Sequence, residues 1–196
     1  MPLLASVAQI QQHMGEVARK NPECRFERLH RTLCDERWLT EAWKRIRSNK
    51  GSKTAGVDGM TRIDVDETLL HQLAKKLKNQ EFKPTPVRRT YIPKSKGKLR
   101  PLGIPTIQDR IVQSALKMIL EPVWEQDFRD CSHGFRPERS CHTALSYVAM
   151  RFPRSTWIIE GDITGCFNNI DHGKLMGFLR LRLKDEKLLQ LIYSFL

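Results

Sequence analysis

The feature that most constrains the fold of this 196-residue chain is a short apolar run that leads to a carboxylate, within residues 157–172 (WIIEGDITGCFNNIDH). Residues 157–159 are aromatic or β-branched, which favours a strand buried in a sheet over a buried piece of helix. Gly161 and Gly165 leave room for a ligand beside Asp162. A carboxylate at the end of a strand suits a hard cation such as Mg²⁺. The alternative is that Asp162 caps the helix that follows.

Three further segments precede this one: residues 49–59 (NKGSKTAGVDG), 91–113 (YIPKSKGKLRPLGIPTIQDRIVQ) and 133–145 (HGFRPERSCHTAL). Taken in order with EGDITGCFNNIDH, they resemble the motifs of reverse transcriptases encoded by group II introns. The resemblance covers nearly the whole chain and is weakest over residues 1–30. It implies an α+β fold, the fingers and partial palm of a right-hand polymerase, mostly helical with a basic β-hairpin and a palm strand.

The resemblance also implies a division of the chain. Residues 1–60 would form an N-terminal helical extension and the start of the fingers, residues 61–152 the fingers, and residues 153–196 a partial palm with the first catalytic motif. The expected function is that of an RNA-directed DNA polymerase, a nucleotidyltransferase of a mobile element. The expected partners are intron RNA as template, a DNA primer and dNTP.

The resemblance assigns roles to five residues around the acidic turn. Asp162 would be catalytic and would bind Mg²⁺ together with the backbone carbonyl of Ile163. Phe167 would be the steric gate that excludes ribonucleotides. Gly165 and Cys166 would offer backbone amides to the triphosphate of the dNTP.

The sequence lacks the second half of such a metal site. Nucleotidyl transfer in this class uses two metals, and no Asp-Asp pair occurs in the 196 residues. The chain is therefore expected to be truncated, inactive alone, and to bind Mg²⁺ only within a complete active site. The alternatives are a noncatalytic, maturase-like RNA-binding module and a decayed fragment. The apolar final helix, residues 185–196, is predicted to offer a face to a second polypeptide or a second copy.

Residues 88–104 predict a β-hairpin. Pro93 and Pro101 cannot donate hydrogen bonds to a sheet, so the hairpin should lie at an edge or protrude. In the family that the sequence resembles, this hairpin belongs to the fingers and contacts the incoming dNTP. Arg100 fits that role best because its planar fork suits a phosphate, followed by Lys94 and Lys98. The alternative is that each is an ordinary surface side chain.

The charge of the chain points to a polyanionic partner. It has 34 Lys and Arg against 22 Asp and Glu, a net charge of +12. Asp109 is the one acid in the basic stretch from residue 83 to residue 110. Charge alone leaves the partner open, since ribosomal and membrane-surface proteins are equally basic. The predicted nucleic-acid contacts are Arg88, Arg89, Arg136 and Arg139, with a structural salt bridge as the alternative for the last two.

The sequence offers no sign of a membrane anchor or an export signal. No apolar run approaches the length that spans a bilayer, and the N-terminus lacks a basic leader followed by an apolar block. A cytoplasmic location is expected. The five cysteines have no paired short spacing, which predicts neither a disulfide framework nor a zinc site.

The helices predicted from apolar periodicity include one that Thr106 caps, with Asp109 three residues later. Its buried stripe runs from Ile107 to Ile119, and Pro122 should end or kink it. A second apolar stripe, residues 144–152, should be buried in another helix. Asp171 should cap a helix that reaches Leu183.

Overall fold

The computed structural model describes residues 5–93, 97, 99–153 and 155–196. These residues form a mostly helical fold with one two-stranded antiparallel sheet, as the sequence predicted. The helices are α1 (Val7–Lys20), α2 (Leu29–Leu33), α3 (Glu36–Arg47), α4 (Glu67–Lys78), α5 (Ile107–Trp124), α6 (Cys141–Arg151), α7 (His172–Arg182) and α8 (Glu186–Ser194). The strands are β1 (Arg88–Pro93) and β2 (Leu99–Ile104).

Polar side chains start these helices where the sequence predicted them. The Thr106 hydroxyl accepts a hydrogen bond from the backbone N–H of Asp109, and α5 begins at the next residue, Ile107. The Asp171 carboxylate accepts one from the backbone N–H of Lys174 and starts α7. Each cap satisfies a backbone donor that the first turn of a helix leaves unpaired.

Helix α5 is the centre of the core. The predicted stripe of Ile107, Ile111, Ala115, Met118 and Ile119 is fully buried, and α1 and α3 pack against this helix. Trp38 of α3 is buried, and its indole Nε1 donates to the carbonyl of Ala115 at 3.0 Å. Pro122 does not end the helix, which continues to Trp124.

The N-terminal part of the chain is bonded to the segment between α7 and α8. The backbone N–H of Phe26 donates to the carbonyl of Arg182 at 2.7 Å, and that of Lys184 donates to the Phe26 carbonyl at 2.8 Å. The Asp185 carboxylate accepts from the backbone N–H of His30 at 2.8 Å. These bonds fix the start of α2 against the end of α7.

Arg182 reinforces this junction from inside. Its side chain is only 8% exposed and lies 3.0 Å from a carboxylate oxygen of Asp127. It also donates to the carbonyl of Ala18 at 3.4 Å. One buried guanidinium thus links α1, the turn after α5 and the end of α7.

The predicted palm strand is wrong for this structure. Residues 157–163 have no regular secondary structure, and the side chains of Trp157 and Ile159 are 88% and 98% exposed. A strand needs a neighbour for its backbone hydrogen bonds. Within the described ranges, β1 and β2 pair only with each other, so no strand is available to pair with residues 157–163.

The expected burial of α6 is wrong. No residue of α6 is buried, and Leu145 and Val148 of its apolar stripe are exposed. Helix α8 is buried in part: Leu188 and Leu189 lie in the shared core, while its last residues line an open apolar groove, and a partner on that face stays a prediction. Periodicity identifies an apolar face, but the neighbours of that face decide whether it is covered.

Cys34, the residue after α2, is predicted to be a slowly reacting thiol. Its Sγ lies 3.6 Å from Nδ1 of His30, and burial raises the pKa of the thiol to about 11. Alkylation needs the thiolate, so Cys34 should react with iodoacetamide more slowly than the exposed Cys166, and faster as pH rises toward 11. Peptide mass spectrometry would measure both rates; equal rates at about pH 8 would contradict this.

The same raised pKa has a consequence for stability. The folded state prefers the neutral thiol, so this contribution is fully present below the ordinary pKa of 9.0 and is lost as pH rises through about 11. A Cys34→Ala variant should therefore lose less stability than the parent over that window. Thermal unfolding of both chains across the window would measure the difference.

Candidate nucleic-acid interface

One buried carboxylate closes the base of the hairpin. Asp109 accepts a hydrogen bond from the Thr106 hydroxyl at 2.7 Å and another from the backbone N–H of Thr85 at 3.2 Å. Thr85 precedes β1 and Thr106 follows β2, so Asp109 holds both ends of the hairpin together. The one acid of the basic stretch is therefore buried. The exposed charged side chains of residues 83–110 are all basic.

Arg110 joins the hairpin base to the loop at residues 51–59. Its guanidinium donates to the carbonyls of Gly51 at 2.6 Å, Thr54 at 2.5 Å and Pro105 at 3.0 Å. Burial lowers the pKa of Arg110, and attraction to Asp58 opposes that shift. Three carbonyl acceptors occupy this half-buried guanidinium, so Arg110 holds the loop to the base of the hairpin.

The loop is held from its other side as well. Arg88 of β1 donates through Nε to the carbonyl of Ala55 at 3.1 Å. Gly56 lies directly against the backbone of Thr106. The loop and the hairpin therefore form one unit, which we call the hairpin platform: residues 51–59, 85–93, 97, 99–106, 109 and 110.

Gly56 is predicted to be required for this packing. A Cβ at Gly56 would lie 2.7 Å from Cα and 2.8 Å from N of Thr106, and neither backbone atom can move freely. Gly56→Ala should lower the free energy of unfolding by about 1–3 kcal/mol through overpacking. Denaturant unfolding would measure it, with Gly51→Ala as the control because a Cβ there meets no atom within 4 Å. Equal stability of both variants would contradict the prediction.

The strand register divides the hairpin side chains between two faces. Residues directly opposite each other share a face, and Ile92 lies opposite Arg100 while Tyr91 lies opposite Pro101. We call the face that carries Arg88 the inner face, because Arg88 bonds to the loop. The inner face carries Arg88, Thr90, Ile92, Arg100, Leu102 and Ile104. The outer face carries Arg89, Tyr91, Pro93, Leu99, Pro101 and Gly103.

Two of the predicted contact residues are available on this surface. Arg89 and Arg100 are exposed, and among the described residues neither has a hydrogen-bond or ion-pair partner for its guanidinium. They lie on opposite faces of the hairpin. The other two predicted dNTP contacts, Lys94 and Lys98, lie outside the described residues, as does most of the predicted turn at residues 94–97.

Arg136 is used inside the protein. Its guanidinium lies 2.7 Å from Glu125, donates to the carbonyls of Arg129 and Ser132 at 2.8 Å each, and sits 5.1 Å from the ring centroid of Phe128. The side chain is only 6% exposed. These contacts match the salt-bridge alternative, so Arg136 is not carried into the proposed nucleic-acid surface.

Arg139 is directed at a neighbouring acid. It donates to the carbonyl of Asp130 at 3.2 Å, and its guanidinium lies 3.4 Å from the Asp130 carboxylate. Asp130 is almost fully exposed, so this is a surface ion pair of small energetic value. The salt-bridge alternative fits Arg139 also, although its partner could be displaced by a phosphate.

The acidic motif forms an exposed turn. Gly165 adopts a left-handed backbone with φ of +60° and starts a 3-10 helix, Cys166–Asn169. The Asn169 side chain donates to the carbonyl of Thr164 at 3.2 Å and braces this turn. Phe167 is 84% exposed, and Asp162 is exposed. Asp162 does not cap a helix, since Gly165 starts the turn and Asp171 starts α7.

The donor set around Asp162 does not complete a metal centre by itself. No cluster of three or more His, Cys, Asp or Glu side chains that could hold a metal occurs among the residues that the structure describes. A two-metal site needs more carboxylates than Asp162 alone. No chemical step is therefore assigned to a metal in this chain.

An apolar groove of about 580 Å³ runs between α5, α7 and α8, and sequence reasoning did not foresee it. Its wall includes Phe135, which has a positive φ of 59° and is almost fully exposed.

The sequence also did not reveal the roles of Asp109 and Arg110 in the platform. The position of Asp109 as a lone acid in a basic stretch was the available signal.

In the described part of the chain, no helix is long and apolar enough to span a bilayer.

The family model described as "Reverse transcriptase (RNA-dependent DNA polymerase)" matches residues 92–195, which include β2, α5 and the acidic turn. This match covers more than half of the chain, and the chain belongs to the reverse transcriptase family. Members of this family generally use a divalent metal.

Individual relatives place the chain nearer to one branch. It is 43% identical over 188 residues to the group II intron-encoded protein LtrA of Lactococcus lactis subsp. cremoris. The matched region is 95% of this chain and 31% of LtrA. It is 40% identical over 196 residues to protein YkfC of Escherichia coli strain K12, covering 96% of this chain and 51% of YkfC. The predicted resemblance to group II intron-encoded proteins is confirmed.

A third relative carries a different name. Nuclear intron maturase 1, mitochondrial, of Arabidopsis thaliana is 40% identical over 103 residues, covering 51% of this chain and 14% of that protein. The chain spans about a third of the length of LtrA and about half of the length of YkfC.

Proposed function

We propose that this chain forms the fingers and the first part of the palm of a group II intron reverse transcriptase, and that it binds RNA through the hairpin platform. The observation that carries the proposal is the charge distribution of the platform. The platform has two acids, of which Asp109 is buried and Asp58 is exposed, while Arg89 and Arg100 are exposed and have no hydrogen-bond or ion-pair partner among the described residues. Such a surface suits phosphates. Residues 1–60 would be the N-terminal extension, 61–152 the fingers and 153–196 the partial palm.

The proposed contact with dNTP lies on the inner face. Arg100 would bind the triphosphate with its two-pronged guanidinium, supported by Lys94 and Lys98. The backbone amides of Gly165 and Cys166 would meet the same triphosphate, and the ring of Phe167 would exclude ribonucleotides. The exposure of Phe167 leaves that ring accessible to a substrate.

Asp162 is the one side-chain metal ligand that we propose in this chain, with the carbonyl of Ile163 beside it and Mg²⁺ as the cation. A complete site needs further carboxylates from the rest of a polymerase. LtrA and YkfC are both longer than the matched region. The chain by itself is therefore expected to bind RNA without extending a DNA primer.

A second candidate function is that of a noncatalytic RNA-binding module. The similarity to an intron maturase of Arabidopsis favours it over a decayed fragment. This module would use the same hairpin platform to grip intron RNA. The two candidates differ in dNTP incorporation by the complete protein and agree in RNA binding by this chain.

The test is a binding titration of the purified chain with a structured intron RNA and an unrelated duplex across a salt series, with dNTP incorporation assayed in the same tubes. Affinity should fall steeply with salt, because each neutralised phosphate releases counterions. Arg100→Gln and Arg89→Gln should each make the salt dependence shallower by about one contact. Arg19→Gln, an exposed arginine of α1 with the same charge change, is the control.

Each outcome of this titration decides something. RNA-preferring binding without incorporation supports the proposal. Incorporation by the pure chain would overturn the inference that it lacks a complete active site. Equal losses from Arg19→Gln and Arg100→Gln would show that only net charge matters, and that the platform is not the interface.

A further inference from the structure

We propose that the outer face of the hairpin is a separate contact for single-stranded RNA, in which Tyr91 stacks on an unpaired base and Arg89 binds the adjacent phosphate. This inference rests on the proposed function, because it takes RNA as the partner. It adds a second ligand surface to the hairpin, on the side opposite Arg100.

The register places the two residues side by side. Arg89 and Tyr91 are two positions apart on β1, so both point to the outer face, roughly 7 Å apart along the strand. Arg89 lies opposite Gly103, where the side chain of Val87 packs against the glycine, and Tyr91 lies opposite Pro101. All three side chains, Val87, Arg89 and Tyr91, are exposed. The ring and the guanidinium therefore share one open surface.

Tyr91 makes no contact with another described residue that gives it a structural role. Its side chain is 56% exposed and does not belong to the core. Among the described residues, its ring stacks on no other aromatic ring and its hydroxyl makes no hydrogen bond. A single exposed aromatic residue is ordinary, but its pairing with an unpartnered arginine is typical of surfaces that stack bases and bind the backbone.

The surroundings favour RNA over a protein as the occupant. From residue 83 to residue 110 the one acid, Asp109, is buried, so the hairpin itself presents positive charge without an exposed carboxylate of its own. A polyanion complements that charge. Stacking on Tyr91 needs an unpaired base, since a base within a duplex has both of its faces covered. The occupant is therefore a single strand.

The two faces should bind their ligands independently. Arg88 ties the inner face to the loop through Ala55, and Arg100 lies on that face. A strand of RNA on the outer face would meet Tyr91 and Arg89 without displacing a triphosphate from Arg100. The hairpin would thus hold two different phosphate ligands at once.

The experiment uses fluorescence anisotropy of the full chain with a labelled oligouridylate and with a labelled RNA duplex. Tyr91→Leu should weaken binding of the oligouridylate by about fivefold or more, because the stacked ring is lost. Tyr91→Phe keeps the ring and should bind as the parent does. Ile92→Leu changes the neighbouring residue on the inner face and is the matched control. Duplex binding should be the same for all four proteins.

A second pair of variants separates the faces. Arg89→Gln should weaken binding of the oligouridylate, and inorganic tripolyphosphate should still bind. Arg100→Gln should weaken binding of tripolyphosphate more than that of the oligouridylate. Thermal unfolding of each variant confirms that these exposed positions leave the fold intact.

The results that overturn the inference are distinct from those that overturn the proposed function. Unchanged oligouridylate binding by Tyr91→Leu, or an equal loss with Ile92→Leu, would overturn the stacking contact and leave the outer face to another class of partner. Failure of the parent chain to bind either RNA would instead reject the proposed function.

Discussion

Asp162→Asn, made in a complete polymerase that contains this chain, is expected to lower nucleotide incorporation about a thousandfold while RNA binding stays unchanged. The substitution removes a negative charge and keeps the size of the side chain. Loss of a ligand that stabilises charge in the transition state costs several kcal/mol, and about 4 kcal/mol corresponds to a factor of 10³. Primer extension and RNA titration of the same preparation would measure the two effects.

The exposed carboxylate two residues earlier provides the control. Glu160→Gln makes the same change of charge, and Glu160 is exposed like Asp162. It should keep nearly full incorporation, and neither variant should alter thermal unfolding. Incorporation retained by Asp162→Asn, or lost equally in Glu160→Gln, would contradict the role proposed for Asp162.

The second large effect concerns stability. Asp127→Ala leaves the guanidinium of Arg182 buried without its carboxylate, since that side chain is only 8% exposed. Breaking a buried ion pair on one side is strongly destabilising. Because Asp127 itself is partly exposed, the expected loss is at the lower end, about 3 kcal/mol in the free energy of unfolding. Urea unfolding monitored by circular dichroism would measure it.

An exposed ion pair in the same region is the control. Glu186→Gln removes the partner of Arg180, and both side chains of that pair are exposed. Its effect on unfolding should be small, because solvent already screens the pair. A loss of stability in Glu186→Gln as large as in Asp127→Ala would show that burial of Arg182 is not the cause.

Local patterns in the sequence predicted the parts of the fold that depend on local physics. The Thr106 cap, the stripe of α5 and the hairpin at residues 88–104 were all predicted from residues close together in the chain. A cap and an apolar stripe act within one helix, and a hairpin is specified by two short strands on either side of a turn. These predictions are confirmed.

The predictions that failed depended on neighbours distant in the sequence. The run at residues 157–159 has the composition of a strand, but no described strand pairs with it. The apolar faces of α6 and α8 look alike in the sequence, yet only α8 is buried. Composition states what a segment can bury, and the rest of the fold decides whether it does.

The sequence predicted which residues belong to the candidate site but not the surroundings of each residue. The resemblance to a family supplied the residues of the acidic turn and of the hairpin, and those assignments remain predictions. The pattern could not separate Arg136, which is buried in ion-pair and carbonyl contacts, from Arg100, which is exposed. What distinguishes Arg136 is its surroundings: the carboxylate of Glu125, the carbonyls of Arg129 and Ser132, and the ring of Phe128.

The bond from His30 to Asp185 closes a loop of 155 residues. A ribosome that adds about 5–20 residues per second needs roughly 8–30 s to travel that distance. During that interval α2 can already pack against α3, α4 and α5, but the backbone groups of Phe26 and His30 lack their partners at Arg182, Lys184 and Asp185. The bonds between residues 26–30 and the segment after α7 must therefore be among the last to form, and nascent chains that stall before α8 would leave them unmade.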